Sequence, residues 1–223
     1  MKYLAACLSL LLLAGPLGAA HEPWVTHAYP QDRTQWWWDD GWWDDGRLDR
    51  PDSYPVRMER TSYRSGDTEV PAFLFRPEGD GPFLPVLFQH GRRGLDELTL
   101  QLPKRLAARG FVVLAPDVFS GRFVEKYPIE HDPQLDADVA AGIDALLRLP
   151  GIRGQRSCVV SHTRGGYMAL RALVTHGRQE AAVACYVGYY PHWQDPNAAE
   201  PMQVYRFAPE VEGLTLPALV FLG

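Results

Sequence analysis

Cysteine is scarce in this chain. There are three in 223 residues, and Cys7 falls in the leader. The other two, Cys158 and Cys185, have no His cluster at ligand spacing beside them, which excludes a zinc site. Both sit inside apolar runs, so buried free thiols are expected instead of a bridge. Positive charge is also short: 22 Lys and Arg against 27 Asp and Glu leave a net charge of -5, without the basic excess that nucleic acid as a partner demands. No apolar run is long enough for a bilayer, since the N-terminal one is broken by Gly15-Pro16. Nothing at the candidate site asks for a cofactor or a metal.

What is present begins with a leader. Met1-Lys2 is a charged start, residues 3–13 are apolar, and Gly18-Ala19-Ala20 is a small-residue cleavage site. Residues 1–20 therefore read as a signal peptide cut before His21, and the protein as exported, periplasmic or extracellular. No stable membrane insertion is expected after cleavage. Residues 21–55 read as an irregular arm, with Trp37-Trp38-Asp39-Asp40-Gly41 repeated at once as Trp42-Trp43-Asp44-Asp45-Gly46. Packing of its indoles onto the main domain is the expectation, with a ring-stacking platform or a weak calcium site as the sharper alternative.

Regular pattern starts near Val56. Residues 57–63 and 69–75 form a hairpin around Ser65-Gly66-Asp67, and Pro71 suggests that its second strand lies at an edge. The run 85–89 is continuously apolar, as in a sheet buried on both faces, and ends at His90-Gly91-Arg92-Arg93-Gly94. A helix follows with Leu95, Leu98, Leu102 and Leu106 as its stripe, kinked or restarted by Pro103. The next strand, 111–115, closes at Pro116-Asp117. Asp132 caps a second helix with Pro133 at its first position. Strands are further expected at 182–186 and 216–222. Strand alternating with helix after a leading hairpin makes an α/β sandwich with a largely parallel sheet, whose sites lie at the carboxyl ends of strands.

One such end carries the densest signal. Cys158-Val159-Val160 stops at Ser161-His162-Thr163-Arg164-Gly165-Gly166, and a helical stretch follows. Strand, sharp turn and helix form a nucleophile elbow, here Ser161-x-Thr163-x-Gly165 in place of Gly-x-Ser-x-Gly. Thr163 stands at the tip, where a β-branched residue meets strain on the order of 1–3 kcal/mol. With Val86-Leu87-Phe88-Gln89-His90-Gly91, Leu106-Ala107-Ala108-Arg109-Gly110-Phe111 and Ala115-Pro116-Asp117-Val118-Phe119, the elbow makes residues 58–223 resemble the dienelactone hydrolase family of α/β-hydrolases. The domain, 56–223, is thus expected to be a three-layer α/β-hydrolase-like sandwich with an N-terminal antiparallel hairpin.

The resemblance implies hydrolysis of esters or lactones by a Cys or Ser nucleophile with an Asp and a His. Carried over residue by residue, Thr163 becomes the nucleophile, and the backbone N–H groups of Arg92 and Arg164 the oxyanion hole. His90, Arg93, Arg122 and His192 are substrate-binding candidates by their places at the strand ends, and the resemblance makes Arg122 the counterpart of an arginine that helps hold a substrate carboxylate. Asp117, His131 and His176 are further candidates, Asp117 as a brace for its loop. In that family the acid lies just past the strand matching 216–222 and the His one strand later. The chain ends at Gly223 before both, so a fragment lacking the last strand and helix is expected, a shortened complete fold held by the Trp-rich arm being the alternative. The ligand is a small ester, lactone or carboxylate, with weak or absent hydrolysis. A non-catalytic carboxylate-binding protein on a hydrolase scaffold is the second reading.

Overall fold

The computed structural model describes residues 54–222. The leader and nearly all of the Trp-rich arm lie outside the described residues. Strands β1 (Val56–Ser65) and β2 (Thr68–Pro77) form the leading hairpin, and β3 (Leu84–Gln89) enters the core. Helix α1 (Glu97–Ala108) leads to β4 (Phe111–Pro116), the short α2 (Val118–Gly121) and α3 (Gln134–Leu147). Strand β5 (Ser157–His162) precedes α4 (Gly165–Leu173) and the one-turn α5 (Arg178–Ala181). Strand β6 (Val183–Tyr189), a 3₁₀ turn at Met202–Val204, α6 (Glu210–Gly213) and β7 (Ala218–Phe221) complete the order.

The sheet has seven strands in the order β1-β2-β4-β3-β5-β6-β7. The β1/β2 and β2/β4 pairs are antiparallel, and the rest are parallel. Parallel strands need both faces covered. Leu87, Leu114 and Val159 pack under α3 and α4, with Met168 of α4 among them, on one face, while Phe75, Val86, Phe88 and Val160 meet α1 on the other. Tyr63 ties the hairpin to this body by donating to the Asp138 carbonyl at 2.7 Å.

Three local expectations need correction. Strand β2 is internal, between β1 and β4; Pro71 is tolerated because the ladder with β4 begins one residue later, at Ala72. Helix α1 runs through Pro103 without a second start, and its buried residues are Thr99, Pro103 and Ala107. Of the expected stripe, Leu95, Leu102 and Leu106 pack against the core beside them, while Leu98 is exposed. Finally, Cys158 and Cys185 are not free thiols. They face each other in register on β5 and β6 and form a disulfide, with Cα atoms 4.8 Å apart. Sequence position alone hid that pairing, since 27 residues separate them.

Candidate active site

The site grows from the end of β5. Thr163 follows the strand with φ of +48°, the left-handed region, and α4 begins two residues later. Its N–H donates to the Tyr189 carbonyl at 3.0 Å, and its own carbonyl accepts from Gly166 and His192, each at 2.9 Å. The β-branched residue keeps its strained backbone because three main-chain bonds over-determine it.

Glycines make the close approaches possible. A Cβ at Gly165 falls 2.5 Å from the His90 carbonyl oxygen, and one at Gly166 falls 2.5 Å from Pro191 Cβ. At Gly91 a Cβ falls 2.0 Å from Thr163 Oγ1, so the hydroxyl lies directly against the first polar loop. Ser161 does not crowd the turn, as its place in the elbow pattern suggests. It is fully buried, and its hydroxyl shares a 2.6 Å hydrogen bond with Tyr186. Burial pushes the Tyr186 phenol up to about 12, against the hydrogen bond with Ser161.

Two hollows flank the turn. The first, about 290 Å³, is lined by Gly91, Arg92, Leu98, Leu102, His162 and Thr163. The second, about 330 Å³, is lined by Arg92, Arg164, His192, Gln194, Gln203 and Val204. Arg92 borders both. Leu98, Leu102, Gln194 and Gln203 carry no motif, and only the folded chain brings them here.

The expected site residues separate into two groups. Thr163, Arg92, Arg93, Arg164 and His192 line one or other hollow. Arg93 is also engaged by Asp96, through Nε at 2.8 Å and Nη2 at 2.5 Å. His90 and Arg122 line neither. His90 is fully buried, and its Nδ1–H donates to the Gly91 carbonyl at 2.8 Å, the tautomer that an acceptor-only partner requires. It supports the loop instead of touching a ligand. Arg122 is committed to both oxygens of buried Asp138, at 2.7 and 2.8 Å, and to Gln134. Asp117 braces α2 by accepting from the Ser120 N–H at 3.2 Å. His131 is buried against Tyr167 and contacts Asp136 at 2.8 Å, and His176 lies in the turn after α4.

The imidazoles near the turn are biased towards neutrality. Burial and then Arg93 lower the pKa of His162. His192 stands exposed at the rim, yet partial burial of its ring, then Arg164 and Arg92, lower it as well. Burial and the neighbouring Arg92 lower the Arg164 guanidinium. Among the described residues, no hydrogen bond joins Thr163 Oγ1 to either imidazole.

A seven-stranded, mostly parallel sheet with an elbow at the carboxyl end of a central strand defines the α/β-hydrolase fold. The chain resembles the dienelactone hydrolase-like proteins and esterases of that fold. A putative dienelactone hydrolase from Klebsiella pneumoniae subsp. pneumoniae superposes with a TM-score of 0.54 at 22% identity, over 74% of this chain and 71% of that one. A Pyrobaculum calidifontis esterase gives 0.55 at 19% identity, over 75% and 67%. In sequence, Esterase FrsA of Salmonella paratyphi B is 31% identical over 121 residues, 54% of this chain. The match spans only 29% of the length of that esterase. No family model matches the chain.

Proposed function

We propose that the chain is a slow, exported hydrolase of small carboxylic esters or lactones with Thr163 as its nucleophile. The observation that carries this reading is the Thr163 hydroxyl at the tip of a strained turn, against Gly91 and inside a hollow with apolar walls. Thr163 Oγ adds to the ester carbonyl carbon, and its proton passes to water. The carbonyl electron pair moves onto oxygen, which the Arg92 and Arg164 N–H groups receive. Collapse expels the alcohol, which takes a proton from water, and a second water hydrolyses the acyl-threonine to release the acid. Among the described residues no imidazole is hydrogen-bonded to Thr163, and with these residues alone the reaction forgoes general-base assistance worth about 10²–10⁴-fold. Slow turnover follows. Export rests on the leader, and an intact mass beginning at His21 tests it.

Thr163→Ala tests the nucleophile. Loss of hydrolysis of a chromogenic ester is the expected result, and survival of the rate removes Thr163 from the mechanism. Thr163→Ser is expected to raise the rate, because the methyl group crowds the attack. The second reading, a non-catalytic carboxylate-binding protein, is favoured by the absence of a hydrogen-bonded base on Thr163 among the described residues. It requires that both variants hydrolyse nothing and bind carboxylates as the parent does.

A further inference from the structure

The arginines around the turn differ in what they meet. Arg93, Arg122 and Arg171 each hold a carboxylate, of Asp96, Asp138 and Asp136. Among the described residues, Arg92 and Arg164 reach main-chain oxygens alone, Tyr127 O at 2.9 Å and Ile129 O at 3.5 Å. Both guanidiniums nevertheless line the same half-enclosed hollow of about 330 Å³. His192, Gln194 and Gln203 complete the polar lining, and among the described residues no Asp or Glu contributes to it. Two like charges therefore share a confined space with hydrogen-bond donors and, among the described residues, no counter-charge in the wall.

We propose that this hollow is a binding subsite for a dianionic phosphate group, as an organic phosphate monoester carries, held by Arg92 and Arg164 with the amides of Gln194 and Gln203. Charge decides the class. A carboxylate offsets one of the two guanidiniums, whereas a phosphate monoester brings about -1.5 to -2 at neutral pH and three acceptor oxygens. Guanidinium forks match those oxygens in pairs. Because Arg92 also borders the hollow of Thr163, the subsite deepens the hydrolase reading and rests on it for the substrate. That substrate is an ester with an apolar part against Leu98 and Leu102 and a phosphate beyond Arg92. Anion binding itself needs no turnover.

The test is a titration of the full chain at neutral pH with inorganic phosphate, phenyl phosphate and acetate at matched ionic strength. Calorimetry and the ring signals of His192 are the readouts. Phosphate is expected to shift those signals saturably and to bind at least about ten-fold more tightly than acetate, with phenyl phosphate tighter still. Arg92→Met and Arg164→Met should each weaken phosphate by about ten-fold or more, while Arg64→Met, on the far strand β1, changes it less than about two-fold. Equal affinity for acetate and phosphate overturns the proposal. So does unchanged phosphate binding in Arg164→Met, or inorganic phosphate outcompeting phenyl phosphate. Should the methionine variants not fold, His192 signals of the parent protein that ignore phosphate overturn it alone. Thr163→Ala is expected to bind phosphate as the parent does, so loss of hydrolysis and loss of the subsite are told apart.

Discussion

Gly91 and Thr163 approach more closely than any residue with a side chain at position 91 allows. A Cβ there falls 2.0 Å from Thr163 Oγ1 and 2.8 Å from the His162 carbonyl oxygen. The second neighbour is main chain, so a rotation of Thr163 does not relieve Gly91→Ala. We expect that variant to lose about 1–3 kcal/mol of stability. Ester turnover should fall by about ten-fold or more, because the hydroxyl is displaced. Urea unfolding and initial rates check the two effects separately.

Thr163 itself stands at φ of +48°, where a β-branched side chain is disfavoured and asparagine is tolerated. Thr163→Asn is therefore expected to raise stability by about 1 kcal/mol while abolishing hydrolysis. A drop in the urea midpoint would show that the Thr163 side chain stabilises the turn more than its backbone strains it.

Asp96 caps α1 by accepting from the Thr99 N–H at 2.8 Å and also holds Arg93. Burial opposes its ionised form, but the Thr99 backbone and hydroxyl bonds and then Arg93 win, and hold the carboxyl at about 2. A depressed folded-state value means stability present above the unfolded value near 4 and lost as pH falls towards 2. Asp96→Ala should cost about 1 kcal/mol at neutral pH, mostly from the cap, since an exposed ion pair adds little. The gap between variant and parent in thermal unfolding should narrow from about pH 4 downwards and close only below about pH 2.

His90 is fully buried, and burial lowers its pKa, against the Gly91 hydrogen bond and Asp117 and in concert with Lys126. The unfolded chain then binds the proton first, so stability is complete above the ordinary imidazole value and declines as pH falls below it. His90→Asn keeps a donor near the Nδ1 position and removes the titration. Its urea midpoint should vary less than the parent's between pH 7 and about pH 5. A parallel pair of curves would assign the acid sensitivity elsewhere.

The Cys158–Cys185 bridge closes a separation of 27 residues between neighbouring strands. Cross-links over such loops typically contribute about 3 kcal/mol through the unfolded chain. Reduction, or a double Cys→Ala variant, should lower the free energy of unfolding by about that amount. Mass analysis of unreduced peptides checks the connectivity.

Much of the fold could be read from residue pattern. The run 85–89 and the knot Ser161–Gly166 gave away a buried strand and an elbow, because their chemistry is local. Helix α1 was legible in part: Leu95, Leu102 and Leu106 pack against the core as their spacing suggests, whereas Leu98 is exposed and Thr99, Pro103 and Ala107 are the buried positions. Arg122 misled, because its partner Asp138 is 16 residues away and becomes visible only once α3 is placed. Ser161 follows strand alternation, which puts it on the face of Val159, where it meets Tyr186. Gln194 and Gln203 had no signal, being ordinary loop residues until the chain folds back beside His192.

The strand pair beneath Thr163 is fastened twice. A covalent bridge joins β5 to β6 near their start, and the Thr163 N–H to Tyr189 bond closes the far end. Fraying that begins at the outer strand β7 therefore has to stop at β6, so the platform under the hydroxyl should outlast the sheet margin when the molecule is warmed.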